Sequence, residues 1–156
     1  QGCSVEPQAH HGSAHGHDAR RGPVILVDTN VLVDLWTRDP ASGNWSEKAL
    51  GRAAERGPLA VNPIIYAELC LGFERESLLE EALAEAGVRR LALPYRAAWP
   101  AARAFTAYRR RGGKRTAPLP DFFIGAHVLV EGLTLLTRDA RRYRTYFPGV
   151  RLIAPP

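Results

Sequence analysis

The stretch Pro23–Leu32 places the strongest constraint on what this chain can fold into. A short apolar run, mostly of β-branched residues, ends at Asp28, and polar Thr29 and Asn30 follow before apolar residues return at helical spacing. This order predicts a buried strand over 24–27, a tight turn, and a helix with Asn30 as its N-cap. Asp28 is then expected at the carboxyl end of a strand, where open α/β sheets gather their ligand sites.

Strands and helices alternate along the rest of the chain. Further strands are predicted at 59–61, 88–93, 133–136 and 150–153. Helices are predicted at 30–37, 46–56, 63–71, 77–86, 96–111, 121–131 and 139–145. Within one of these helices, a three-residue spacing predicts the packed face, formed by Trp99, Ala102, Phe105 and Tyr108. Because alternating strands and helices pair in parallel through right-handed crossovers, we expect a three-layer α/β/α sandwich.

The composition fits a single globular domain. The chain has 156 residues, of which 46% are hydrophobic and 24% charged. Residues 1–22 are rich in Gly, Ala, Ser and His and nearly lack large apolar groups, which predicts a disordered leader or an added tail, with the folded domain at 23–156. No apolar run is long enough to cross a bilayer, and no signal-peptide core is visible. We therefore expect a cytoplasmic protein without a membrane partner.

The net charge is positive and comes almost entirely from arginine. A formal charge of +5 favours polyanionic partners such as nucleic acid, although it also serves solubility. The candidate phosphate-binding residues are Arg109, Arg110, Arg111, Arg138 and Arg142, with Lys114, Arg115, Arg141 and Arg144 beside them. For each of these residues, a solvated surface position is the alternative.

Four acidic residues occupy settings that set them apart. Asp28 and Asp139 each follow a predicted strand, Asp121 lies at the start of a helix, and Glu68 lies within an otherwise apolar helix. Taken singly, the aspartates could be helix caps and Glu68 a solvated position. Taken together they favour a cation, because crowded carboxylates repel one another unless a positive charge neutralises them.

The kind of cation follows from the kind of ligand. Hard oxygen ligands without His or Cys favour Mg²⁺ or Mn²⁺ rather than zinc. A magnesium site on a basic protein is typical of phosphate-ester chemistry, in which the metal polarises a phosphoryl oxygen and lowers the pKa of a bound water.

At these residues the chain resembles the PIN-domain ribonucleases, most closely the VapC-type toxins of toxin–antitoxin pairs. Four motifs in the same order carry the resemblance: 27–32, 66–72, 109–126 and 136–139. The resemblance covers residues 23–154. It implies a parallel sheet of strand order 3-2-1-4-5, flanked by helices.

The resemblance also implies an activity and a set of site residues. The catalytic quartet falls on Asp28, Glu68, Asp121 and Asp139. The three aspartates are expected to hold Mg²⁺ or Mn²⁺, and Glu68 to help bind the metal or to orient a water. Asn30 and Thr137 fall on supporting polar positions. The implied function is a metal-dependent endoribonuclease toxin that cleaves single-stranded or structured RNA, such as tRNA or rRNA loops.

Partners follow from the same resemblance. A toxin of this type implies a cognate VapB-type antitoxin, and the family usually dimerises. Ile64, Ile65, Phe73 and Leu78 are candidate interface residues, although core packing explains them equally well.

Other classes of protein fit the residues less well. A haloacid-dehalogenase-like phosphatase requires a second Asp two residues after the first, where this chain has Asn30. A dinucleotide-binding domain requires a glycine-rich turn after the first strand, which is absent here. The remaining alternative is a catalytically silent PIN fold that only binds RNA or protein.

Overall fold

A computed structural model of the protein describes residues 22–156. The leader or tail predicted for residues 1–22 therefore lies outside the described residues, except for Gly22. The strands are β1 (Ile25–Val27), β2 (Leu59–Val61), β3 (Val88–Arg90), β4 (Thr134–Leu136) and β5 (Arg151–Ile153). The helices are α1 (Thr29–Thr37), α2 (Gly43–Arg56), α3 (Pro63–Cys70), α4 (Glu76–Glu85), α5 (Ala98–Arg110), α6 (Pro120–Glu131) and α7 (Arg141–Tyr146). One turn of 3₁₀ helix, Tyr95–Ala97, leads into α5.

The five strands form one parallel sheet in the order β3-β2-β1-β4-β5. The expected α/β fold and strand order are confirmed. Strand β1 is central, and its Ile25 lies opposite Leu59 of β2 and Thr134 of β4. Because all strands run in the same direction, the segments that follow β1 and β4 leave the sheet side by side. Asp28 and Thr137 therefore start from neighbouring positions.

The core lies on both faces of this sheet. Every residue of β1 and β2 is buried, as expected for apolar strands covered by helices on both sides. Helix α6 packs closely against the C-terminal segment, where a Cβ added at Gly125 would come within 2.4 Å of the Phe147 ring. None of the described helices is long and apolar enough to span a membrane.

The predicted packed face of α5 was wrong at Trp99. This side chain is 71% exposed, and the guanidinium carbon of Arg103 lies 4.9 Å from the centre of its ring. The buried face of α5 instead carries Ala101 and Ala104, and Ala97 is buried in the turn before it. Trp99 lies two residues before Ala101, so at 100° per residue it projects from the opposite side of the helix.

Candidate active site

Asp28 lies at the centre of the candidate site, directly after β1. It is only 5% exposed. One carboxylate oxygen, Oδ1, accepts a hydrogen bond from the backbone N–H of Thr29 at 2.9 Å, so Asp28 is the N-cap of α1. The prediction that Asn30 caps this helix was wrong. Asn30 instead turns its side chain to the site, where Nδ2 donates to Asp28 Oδ2 at 3.1 Å.

Thr137 connects two of the predicted acids. Its hydroxyl is fully buried; Oγ1 donates to Asp28 Oδ2 at 2.7 Å and accepts from the backbone N–H of Asp139 at 3.1 Å. Asn30 makes a second link, because its Oδ1 accepts from the backbone N–H of Arg138 at 3.0 Å. These bonds link the segments that follow β1 and β4, so Asp28 and Asp139 lie at the same edge of the sheet.

Glu68 approaches the same place from α3. Its side chain is partly buried, and its Oε2 accepts a hydrogen bond from the Thr29 hydroxyl at 2.5 Å. The pKa of Asp28 is raised above its ordinary value, chiefly because burial disfavours the charged form. The negative charge of Glu68 raises the Asp28 pKa further, whereas the hydrogen bonds from Thr137 and Thr29 oppose the shift. A buried carboxylate, that of Asp28, therefore lies close to the partly buried carboxylate of Glu68.

Asp121 lies in the first turn of α6, where the guanidinium of Arg142 from α7 contacts its carboxylate. Asp139 is exposed, and its Oδ1 accepts from the backbone N–H of Arg141 at 3.3 Å. As they stand in residues 22–156, no three Asp, Glu, His or Cys side chains converge closely enough to hold a metal ion. The positive charge beside Asp121 is supplied by Arg142.

Tyr143 is a site residue that the sequence reasoning missed. It is 2% exposed, and its hydroxyl donates to Asp28 Oδ2 at 3.4 Å. Burial raises the pKa of this phenol, and the charges of Asp28 and Glu68 raise it further, whereas that of Arg142 lowers it. Tyr143 therefore lies close enough to Asp28, Glu68 and Arg142 to feel the charge of each. The available signal was weak, since a tyrosine within a run of arginines suggests an exposed helix.

A buried network behind the site was also missed. Asp34 of α1 is 3% exposed; it accepts a hydrogen bond from the Ser46 hydroxyl at 2.8 Å and pairs with Arg138 at 3.4 Å. The Arg138 guanidinium also donates to Ser42 Oγ at 2.6 Å. Arg138, a candidate RNA contact, thus connects the segment after β4 to α1 and α2.

The other candidate arginines lie around the C-terminal end of α5. Arg109 donates to the backbone oxygens of Gly113 and Arg115, at 3.1 Å and 2.8 Å, and so holds the loop that follows α5. Arg110 is exposed at the end of the helix. The guanidinium carbon of Arg111 lies 5.4 Å from the centre of the Tyr146 ring. Of these candidate arginines, Arg142 contacts an acid of the predicted quartet, Asp121, and Arg111 lies over Tyr146 of the same helix, α7.

Three of the four candidate dimer residues belong to the protein's own packing. Ile65 is fully buried in the core. Phe73 packs edge-on against Trp36, with ring centres 5.3 Å apart. Ile64 is partly buried against the same core, and Leu78 is partly buried on α4.

The fold and the site together define a class: a parallel α/β domain with acidic side chains collected at the carboxyl edge of its sheet. The sequence matches the PIN domain over residues 25–148. The chain belongs to the PIN-domain family. None of the curated proteins matches it.

Solved structures share the fold at low sequence identity. VapBC2 of Rickettsia felis, solved bound to a promoter DNA fragment, has a TM-score of 0.65 and 18% identity, and the match covers 85% of this chain and 99% of that chain. A toxin–antitoxin complex of Klebsiella pneumoniae has a TM-score of 0.58 and 23% identity, covering 85% and 98%. The sarcin–ricin-loop-cleaving toxin VapC20 of Mycobacterium tuberculosis has a TM-score of 0.52 and 16% identity, covering 78% and 94%.

The pKa of Asp28 gives a stability prediction with a definite sign. Because the folded state raises this pKa above the ordinary value of 3.8, folding favours the protonated carboxyl. As the pH falls through the raised pKa, Asp28 becomes protonated, and it then destabilises the metal-free protein less. In EDTA, the stability of Asp28→Asn relative to wild type is expected to be highest near neutral pH and to decline toward about pH 4.

Urea unfolding of both proteins across this pH range checks the sign. The predicted sign would be contradicted if Asp28→Asn became more stable relative to wild type as the pH is lowered.

Proposed function

We propose that the protein is a Mg²⁺- or Mn²⁺-dependent endoribonuclease of the VapC toxin type. The observation that carries the proposal is the environment of Asp28. Its carboxylate is buried beside that of Glu68, and within residues 22–156 no Lys, Arg or His pairs with it. A folded protein keeps such an arrangement at a cost in stability. A divalent cation that binds there would offset that cost.

The donor set fits this metal. Asp28, Asp121 and Asp139 offer carboxylate oxygens without nitrogen or sulfur, which is what Mg²⁺ and Mn²⁺ prefer. Asp28 and Asp139 are already linked through Thr137. Glu68 is held by Thr29 and would complete the site or orient a water. When bound, the metal supplies Lewis acidity, which activates water and stabilises charge on the phosphoryl group.

The protein's own residues perform the remaining tasks. Thr137 and Asn30 hold Asp28 in one orientation by donating to its Oδ2. Arg142 keeps Asp121 neutralised in the absence of metal. With a metal held by Asp121, the guanidinium of Arg142 would be available to pair with an RNA phosphate. The exposed arginines at the end of α5 hold the RNA backbone without reading its sequence.

The partners belong to the same proposal. The structural relatives include VapBC proteins and a toxin–antitoxin complex, which supports a VapB-type antitoxin as the inhibitor of this chain. We further propose that the protein acts in the cytoplasm as a homodimer. Analytical ultracentrifugation tests the dimer, and co-expression with the cognate antitoxin, which should relieve growth arrest, tests the toxin.

The direct test is cleavage of RNA by the purified protein. Incubation with total RNA in Mg²⁺ or Mn²⁺ should produce discrete fragments with defined ends, and EDTA should abolish them. The alternative of a catalytically silent module predicts RNA binding without fragments in either metal. Cleavage that persists in EDTA would contradict the metal-dependent mechanism.

A further inference from the structure

A cavity of about 360 Å³ lies beside Asp139, on the side of α5 and α7. Its volume lies at the lower end of the range of sites that take small ligands. The lining residues include Tyr108, Arg111, Asp139, Arg141, Arg142 and Tyr146. The cavity thus runs from one proposed metal ligand toward the basic end of α5. None of the functions assigned above requires it.

Two tyrosines form one wall of the cavity. The rings of Tyr108 and Tyr146 lie 6.4 Å apart, and both pack against Phe122, at 5.8 Å and 5.2 Å between ring centres. Tyr108 also lies directly against Gly113, where a Cβ would come within 2.2 Å of the ring. Both rings are partly buried by these contacts. The wall is therefore an aromatic surface held in place by the core.

Arginines supply the rest of the cavity's chemistry. The guanidinium of Arg111 lies over Tyr146 and is exposed. Among residues 22–156, no carboxylate forms an ion pair with Arg111 or Arg141. Unpaired RNA bases stack on tyrosine rings and on arginine planes, and phosphates bind guanidinium groups. The cavity presents these groups within one small volume.

We propose that this cavity binds one unpaired nucleotide adjacent to the phosphodiester that is cut. The base stacks on the Arg111–Tyr146 pair, and Arg141 holds a phosphate of the same nucleotide. Since Asp139 lines both the cavity and the proposed metal site, occupation of the cavity places the neighbouring phosphate at the acids. The inference rests on the proposed function and adds to it a requirement for an unpaired base at a fixed position.

An inserted protein segment is the competing occupant, and the observations favour RNA. An acidic peptide would be attracted by the arginines but would gain little from a tyrosine–guanidinium stack. A nucleotide uses both, because it carries a planar base and a phosphate.

The test measures RNA binding, separately from cleavage. Fluorescence anisotropy of labelled hexauridine is recorded on the full chain carrying Asp28→Asn, so that the RNA stays intact. The same oligomer is then used with an abasic residue at each position in turn. Arg111→Gln is compared with Arg103→Gln, which removes one charge and a similar cation–aromatic contact elsewhere on α5.

The expected results are specific to one position. One abasic position should weaken binding by about 5- to 100-fold, the range of a lost base stack, and Arg111→Gln should remove that dependence. Arg103→Gln should leave the abasic dependence intact, and Arg141→Gln should weaken every oligomer to a similar degree. Circular dichroism confirms that each variant is folded.

Two outcomes would overturn the inference. In the first, Arg111→Gln and Arg103→Gln lose affinity for hexauridine equally, and no abasic position weakens binding more than the others. The other is Arg111-dependent binding of a polyglutamate peptide in place of a base-dependent signal. If wild type still cleaves RNA in either case, the proposed function stands and only the nucleotide site fails. If the protein neither binds nor cleaves RNA, the nucleotide site and the proposed function are both wrong.

Discussion

Asp28→Asn is expected to lower the rate of RNA cleavage by at least about 100-fold, since loss of a group that merely supports a metal ligand already costs about 10- to 100-fold. The metal-free variant should be at least as stable as wild type. The substitution removes a buried negative charge that Glu68 disfavours. The hydroxyls of Thr137 and Tyr143 can both rotate to accept from the new amide, and Asn30 Nδ2, which loses Asp28 Oδ2 as an acceptor, keeps Thr137 Oγ1 at 3.3 Å.

Asp39→Asn is a matched control for this variant. Asp39 lies in the loop between α1 and α2, where its Oδ1 accepts from Ser42 N–H and Oγ at 2.7 Å each. These bonds from Ser42 lower the Asp39 pKa, so neutralising it should reduce stability while cleavage stays unchanged. Steady-state cleavage of labelled RNA and thermal unfolding in EDTA measure both effects. A wild-type cleavage rate in Asp28→Asn would refute the assignment of Asp28.

Thr137→Val is expected to give the second large effect, a loss of about 10- to 100-fold in kcat/KM. Valine has nearly the same shape but neither donates to Asp28 nor accepts from Asp139. Asp28 keeps its bonds from Thr29, Asn30 and Tyr143, and losing the one from Thr137 should lower stability by about 1.5–3 kcal/mol, the range for a hydrogen bond to a charged group. Because the lost bond had lowered the Asp28 pKa, the acid limb of the pH–rate profile should move to higher pH.

Thr137→Ser distinguishes the effect of the hydroxyl group from the effect of side-chain packing. Serine keeps the hydroxyl and loses only a methyl group, so it should restore most of the activity and the wild-type position of the acid limb. Urea unfolding and pH–rate profiles of both variants provide the measurement. If serine is as inactive as valine, packing rather than the hydrogen bond to Asp28 accounts for the role of Thr137.

The sequence predicted the framework of the site because that framework is local. An apolar run that ends in an acid places Asp28 at a strand end, and alternating strands and helices predict a parallel sheet. Asp139 follows by the same reasoning, since β4 pairs with β1. Asp121 and Glu68 are carried by helices, so only the resemblance to PIN-domain ribonucleases assigned them to the same quartet.

Other features could not be predicted because they depend on long-range packing. The contact of Arg142 with Asp121 joins residues 21 positions apart, and the approach of Tyr143 to Asp28 joins residues 115 positions apart. The burial of Asp34 likewise depends on α2, which carries the hydrogen-bond donor Ser46. The cap of α1 was misassigned for a different reason, since Asp28 and Asn30 are both good capping residues, and only the backbone geometry selects Asp28.

The central claim is that one divalent-metal site is formed by Asp28, Asp121 and Asp139, with Glu68 beside them. Calorimetric titration of Mn²⁺ tests this claim most directly. Wild-type protein freed of metal with EDTA should bind Mn²⁺ with measurable heat, and the ion should raise its melting temperature. Asp28→Asn should lose both effects, whereas Asp39→Asn should keep them. Equal binding of Mn²⁺ by wild type and Asp28→Asn, or no binding by wild type, would contradict the account.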